Sequence, residues 1–124
     1  MQDTMNDSLR AIADPTRRAI LRLVRDAECP AGEIAAQFPS ISRPAVSQHL
    51  RVLVDAGLLD VRAAGNRRLF RWRPEGLRDA AGFVEEMWAD GLQRLKLAAE
   101  REEWRGRAQR ARRGGSAGNR EGAR

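Results

Sequence analysis

The segment 42–57, SRPAVSQHLRVLVDAG, constrains the fold more tightly than any other part of the chain. Val46, Leu50, Leu53 and Val54 recur at helical spacing and fall within about 100° of one another when wrapped at 100° per residue. Arg43, Pro44, Ser47, Gln48, Arg51 and Asp55 take the remaining arc. Ser42 offers a side-chain oxygen to a first-turn N–H and so starts the helix. Gly57 stops it, because glycine enters the left-handed conformation without a Cβ penalty. A helix over 43–56 therefore has one oily face that needs a core and one small, hydrogen-bonding face left free.

The flanking sequence supplies that core. Met5, Leu9, Ile12 and Ala13 mark a short helix over 4–13, and Asp14 with Pro15 provides the cap and first position of a second helix over about 15–26. That helix is predicted to bury Ile20, Leu23, Val24 and Ala27, with Arg17, Arg18, Arg22 and Arg25 largely off that face. Glu28-Cys29-Pro30 reads as a break. A third helix over 31–38 follows, holding Ile34, Ala35 and Phe38 inward, and Pro39-Ser40 makes the turn into the fourth.

After Gly57 the apolar period drops from 3.6 to two. Leu59 and Val61 alternate with Asp60 and Arg62, the stretch 64–67 makes a turn, and Phe70 and Trp72 alternate with Arg71 and Arg73, which is a β-hairpin with a polar tip. Pro74 closes it. The fifth helix, over about 75–103, carries Leu77, Ala80, Val84, Met87, Trp88, Leu92 and Leu95 in one stripe that spans more turns than a small core can cover. The fold class is mostly α with a small β-hairpin: a winged helix-turn-helix whose long last helix is available for dimerisation.

Charge is segregated along the chain. Its 124 residues carry a formal net charge of +6, yet residues 1–104 balance at zero. Residues 43–73 hold seven arginines against Asp55 and Asp60, and 105–124 hold seven arginines against Glu121. A basic segment inside a balanced domain points to a polyanion-facing surface. The expected organisation is a DNA-binding and dimerisation domain over 1–104 and a disordered Arg-rich tail over 105–124, the tail being either a solvated extension or an auxiliary non-specific DNA anchor.

Donor geometry assigns roles. Gln48 can pair bidentately with adenine, Arg43 and Arg51 can reach guanine or phosphate, Ser47 can bond either, and Pro44 offers apolar surface to a thymine methyl. Arg67 and Arg68 flank the hairpin tip and can enter a minor groove or clamp its phosphates, with Arg62 and Arg71 as phosphate contacts nearer the body. His49 lies at the edge of the apolar arc, where a packed structural role and a DNA contact both remain open.

The stretches LRAIADPTRRAILRLV, GEIAAQF, SRPAVSQHLRVLVDAGLL and GNRRLFRWRP together resemble the ArsR-type (ArsR/SmtB) winged helix-turn-helix transcriptional regulators over about residues 3–100. The long last helix with Trp88 and LQRLKLAAE resembles a metal-independent branch of that family. The resemblance implies a homodimeric repressor that binds double-stranded operator DNA and releases it on a signal, an unknown small-molecule inducer being one candidate. It carries DNA contact onto Arg43, Pro44, Ser47, Gln48, His49, Arg51, Arg67 and Arg68. Family members often cap the third helix with Ser or Thr, but Cys29-Pro30 stands there in this chain. The dimer centre is expected at Leu9, Ile12, Val84, Met87, Trp88, Leu92 and Leu95, and a two-fold dimer of this kind reads an imperfect inverted repeat.

Other functions lack their residues. One cysteine, one histidine and no tyrosine supply neither a disulfide framework, nor a thiolate metal site, nor a cluster for acid–base or nucleophilic chemistry, so no metal, no cofactor and no enzyme activity are expected. No apolar run approaches a membrane span, and the first residues have no signal-peptide character, so a cytoplasmic location away from membranes is expected. Two alternatives stand beside the repressor: a basic nucleic-acid-binding protein of low sequence specificity, and a protein-interaction module that uses the helix pair as scaffold.

Overall fold

The computed structural model describes residues 4–122, with side chains over 4–114. Among these residues the elements run α1 (Thr4–Ile12), α2 (Pro15–Val24), β1 (Cys29–Pro30), α3 (Ala31–Ala36), α4 (Arg43–Asp55), β2 (Leu59–Ala64), β3 (Arg67–Trp72), a 3-10 turn over Pro74–Leu77, and α5 (Arg78–Gly122). Two compact units divide the chain, one ending at Phe83 and the other starting at Val84.

In the first unit the helix boundaries follow from their caps. Asp14 accepts a hydrogen bond from the Arg17 N–H at 3.0 Å, with Pro15 in the first turn of α2. Ser42 Oγ accepts from the Ala45 N–H at 3.2 Å, and Gly57 takes φ +77° just past α4. Pro30 precedes α3 without any side-chain cap, which agrees with that helix having only six residues. Ile20 and Val24 from α2, Ile34 from α3, and Val46, Leu50 and Leu53 from α4 are buried together with Leu58, Leu59 and Phe70 of the hairpin. Burial of this apolar surface drives the assembly of three short helices, none of which is long enough to persist alone.

Two local expectations are corrected. The break at Glu28-Cys29-Pro30 contains a strand: β1 pairs antiparallel with β3, Cys29 opposite Phe70 and Pro30 opposite Leu69, giving a three-stranded sheet of order β1-β3-β2. Proline is tolerated there because β1 lies at the sheet edge. Leu23 is 39% exposed within α2, and Ala27 is exposed because α2 ends at Val24 before reaching it. Ile12 is half-buried and packs against this unit's own core.

The hairpin register sets which wing residues share a face. Val61 pairs with Phe70, Ala63 with Arg68 and Ala64 with Arg67, around the loop Gly65-Asn66. Gly65 has φ +65° while among the described residues no non-glycine residue has positive φ, which fits a II′ turn, where only the first central residue needs that region. Buried Ser8 of α1 donates its hydroxyl to the Gly76 carbonyl at 2.6 Å, with the Thr4 carbonyl at 2.9 Å. Gly76 in turn lies against the backbone of Gly57, so α1, the 3-10 turn and the end of α4 meet at one joint.

In the second unit α5 continues as one helix through Gly122. Regular structure was not expected beyond 104. From 98 to 113 the run is rich in Ala, Glu and Arg, all strong helix formers, and Arg105–Glu102 and Arg107–Glu103 pairs bridge the expected boundary. Residues 123–124 of the expected tail lie outside the described residues. Val84, Met87, Trp88, Leu92 and Leu95 are all more than half exposed. Among the described residues no helix is long and apolar enough to cross a membrane.

Candidate nucleic-acid interface

Helix α4 separates its two faces cleanly. Val46, Leu50 and Leu53 are at most 3% exposed, whereas Ser42, Arg43, Pro44, Ser47, Gln48, Arg51 and Asp55 are all exposed. The free face opens with short or constrained side chains, Pro44 and Ser47, which allow close approach to a groove floor, and then presents the amide of Gln48. Thirteen residues give a rod about 20 Å long, enough to lie along a major groove. The turn from α3 is closed by backbone bonds from Phe38 N–H to Ala35 O at 3.1 Å and Ile41 N–H to Phe38 O at 3.0 Å.

Strand alternation splits the wing arginines. Arg68 lies on the same sheet face as Phe70 and Val61, and Arg67 lies on the other. Arg68 therefore borders a cleft of about 310 Å³ between α4 and the hairpin, together with Ser47, Leu50, Arg51 and Phe70. The structure thus brings Ser47, Arg51 and Arg68 to one place although the two arginines stand seventeen positions apart in sequence. Asp55 also borders the cleft, so two cations face one carboxylate.

Four other arginines of 43–73 are engaged by carboxylates. Arg67 reaches Glu33 of α3 at 3.5 Å, Arg71 reaches Asp60 at 3.1 Å, and Arg73 lies 3.8 Å from Asp60. Arg62 makes a two-pronged bond to Glu28, its Nε donating at 2.9 Å. That guanidinium holds the Glu28 carboxyl below its ordinary pKa, and the bond from Glu28 in turn raises the pKa of Arg62. Arg62 and Arg71, expected as phosphate contacts, are thus occupied within the protein. Among the described residues Arg43, Arg51 and Arg68 have no acidic partner. The Asp60–Arg71 pair was legible once the hairpin loop was known, but Glu28 and Glu33 come from outside the hairpin and gave no sequence signal.

His49 takes the packed role. Its side chain is 21% exposed and sits in a corner built by the start of α2. Arg17 donates Nε–H to the Ala11 carbonyl at 2.6 Å, a second N–H to the Arg10 carbonyl at 3.0 Å, and a third to His49 Nδ1 at 3.3 Å. Arginine has no acceptor, so Nδ1 is the accepting atom in this contact. Asp14 Oδ2 lies 4.0 Å from the same nitrogen. The bond from the Arg17 N–H holds the Asp14 carboxyl below its ordinary pKa. Helical spacing puts Arg17 off the apolar face of α2, and from there it ties the C-terminal carbonyls of α1 to α4.

Cys29 is half-buried, its thiol pKa raised by burial and by the neighbouring Glu33 carboxylate. Among the described residues no group of three or more His, Cys, Asp or Glu side chains is arranged to hold a metal ion.

Comparison with known proteins places these features among relatives. Residues 12–62 match a family described as a helix-turn-helix domain. The chain is similar to the HTH-type transcriptional regulator Rv2034 of Mycobacterium tuberculosis, 42% identical over 83 residues, which is 67% of this chain and 77% of that protein. It is also similar to the transcriptional repressor SdpR of Bacillus subtilis, 35% identical over 80 residues, 64% of this chain and 88% of that one. Among solved structures, an ArsR-like transcriptional regulator from Rhodococcus sp. RHA1 is similar with a TM-score of 0.61 at 28% identity, covering 74% of this chain and 86% of its own.

Proposed function

The chain belongs to the ArsR family of helix-turn-helix transcriptional regulators, and on that premise we propose that it is a homodimeric, sequence-specific DNA-binding repressor that reads an inverted-repeat operator. The observation that carries this reading is the exposed polar face of α4 set against its buried apolar face. Gln48 and Ser47 read base edges, Pro44 meets a thymine methyl, and Arg43 contacts guanine or phosphate. Arg51 and Arg68 flank the strand that passes from the major to the minor groove and hold one of its phosphates at the cleft they share. Arg67 reaches DNA at the wing tip by exchanging Glu33 for phosphate. Its ion pair is solvent-exposed on both sides and therefore weak. His49 supports the helix rather than reading bases.

Dimerisation follows from α5. Val84, Met87, Trp88, Leu92 and Leu95 present a run of exposed apolar side chains larger than a monomer surface ordinarily carries, and a second copy is the partner that a stripe on one helix fits best. Leu9 of α1 is a further exposed apolar residue. A two-fold dimer sets two recognition helices about 34–36 Å apart, matching successive major grooves on one side of B-DNA. Repression is steric and acts in the cytoplasm, without a metal. Release requires an event, such as binding of a small-molecule inducer, that changes the spacing or angle of the two heads.

The test is in-vitro selection of bound DNA from a random duplex pool at two salt concentrations, with Gln48→Ala/Arg51→Ala as comparison. Enrichment of a palindromic site whose preference survives higher salt, and is lost in the double variant, is the expected result. A pool that enriches only by charge density, or a preference that the double variant keeps, would refute the reading.

A further inference from the structure

The charge along α5 changes sign at one point. Between 84 and 104 the acids Glu85, Glu86, Asp90, Glu100, Glu102 and Glu103 outnumber Arg94, Lys96 and Arg101. From 105 to 114 there are five arginines, all exposed, and no acid. Arg105 and Arg107 reach back to Glu102 and Glu103 at 3.6 and 3.5 Å, while Arg110, Arg112 and Arg113 have no acidic partner among the described residues. The apolar stripe also ends here, at Trp104.

The composition of this segment narrows its partner. Only Gly, Ala and Gln separate the arginines, so the helix has no apolar face with which to enter a lipid surface. No aromatic follows Trp104, so successive unpaired bases find no stacking platform. The arginines point to several sides of the helix rather than forming one fork. That arrangement suits a partner with dense, uniform negative charge. Five guanidinium groups within about 12 Å of helix repel one another, and duplex DNA, with one charge per about 1.7 Å of its axis, relieves that repulsion over the whole segment.

We propose that residues 105–113 of α5 form a second, sequence-independent contact to the backbone of duplex DNA, separate from the reading head. The contact rests on the DNA-binding reading above for its partner and adds affinity without adding sequence preference. Each phosphate neutralised contributes about 0.9 to the slope of log K against log salt.

The experiment compares the full chain with R110Q/R112Q/R113Q on the selected operator and on a scrambled duplex of equal length, by fluorescence anisotropy from 50 to 200 mM salt. Glutamine is nearly as good a helix former as arginine, and far-UV circular dichroism checks that helicity is kept. The expected slope is shallower in the variant by up to about 2.7 for each protomer whose segment touches the duplex, on both duplexes, so that the unsubstituted chain loses about 40-fold more affinity per engaged segment over this range. The operator-to-scrambled ratio stays unchanged, and R110K/R112K/R113K restores the slope. Equal slopes, a loss confined to the operator, or tighter binding to a single-stranded oligonucleotide than to duplex would overturn the proposal. If the full chain shows no operator preference while the slope difference persists, the reading head fails and this contact stands.

Discussion

Gly76→Ala should destabilise the protein, whereas Gly82→Ala should stabilise it. A Cβ at Gly76 would sit 2.1 Å from the Gly57 carbonyl oxygen and 2.7 Å from its carbon, with Leu58 Cδ2 at 3.1 Å. The first two are backbone atoms, so relief requires about 1 Å of movement at the turn that ends α4 rather than a rotamer change. Overpacking of this kind costs about 1–3 kcal/mol, and a backbone obstacle puts it near the upper end. The same movement strains the 2.6 Å bond from Ser8 to the Gly76 carbonyl. Against this, replacing glycine restricts the unfolded chain and returns about 0.4–1 kcal/mol. The net loss is about 2 kcal/mol, or roughly 8–16 °C in Tm for a domain of this size. Gly82 lies in α5 with nothing within 4 Å of its Cβ position, so the alanine there gains about 0.5–1 kcal/mol. Urea unfolding followed by circular dichroism, at one fixed protein concentration because dimerisation shifts apparent stability, measures both. Equal stability of Gly76→Ala and the unsubstituted chain, or a loss at Gly82 as large as at Gly76, would refute the close-contact argument.

Three further outcomes are expected. Arg68→Gln should flatten the salt dependence of DNA binding by about 0.9 per phosphate contact, and Arg62→Gln should change it little because Glu28 already holds Arg62; matching slopes for the two variants would contradict that division. Asp14→Ala should cost about 1 kcal/mol near neutral pH through loss of the α2 cap. The Asp14 carboxyl is held below its unfolded value, so its contribution is complete above about pH 4 and fades as pH falls through the folded value. The gap between variant and unsubstituted chain should therefore be narrower at pH 3 than at pH 6, and a constant gap would count against the cap. Cys29 should react more slowly with an alkylating reagent at pH 8 than a free thiol does, and Glu33→Gln should accelerate it, since burial and that carboxylate both raise its pKa; an unaffected rate in Glu33→Gln would remove the carboxylate from the account.

What the sequence made legible was local. Helix α4 could be placed almost to the residue because Ser42, Gly57 and the apolar period all act within a few positions of one another. The hairpin was legible for the same reason, its short loop forcing Val61 opposite Phe70. Strand β1 was not, because its pairing depends on Leu69 and Phe70, forty residues away, and a Cys-Pro step carries no strand signal of its own. The role of Arg17 was hidden likewise. Position on a helical wheel shows that a side chain is off the apolar face, but a long guanidinium can still turn back to cap carbonyls of a preceding helix. Helix α5 outran its expected end because apolar periodicity stops at Trp104 while helix propensity and charge pairing continue.

The charge map makes the same point with functional weight. Counting along the chain credits residues 43–73 with seven arginines against two acids. Folding brings Glu28 and Glu33 beside the wing, and Asp60 beside Arg71 and Arg73, so four of those seven cations already have a carboxylate. The three left over, Arg43, Arg51 and Arg68, are not scattered: two border the cleft between α4 and the hairpin, and the third stands in the first turn of α4. A linear charge count measures how basic a segment is. Its ability to hold a phosphate depends on which cations the fold leaves unpaired. By that measure the edge the wing shares with α4, where the cations need not first leave a carboxylate, is where phosphate affinity should concentrate. The separate basic end of α5, with no carboxylate beyond Glu103 among its described side chains, is then the place where a second increment of salt-dependent binding should be sought.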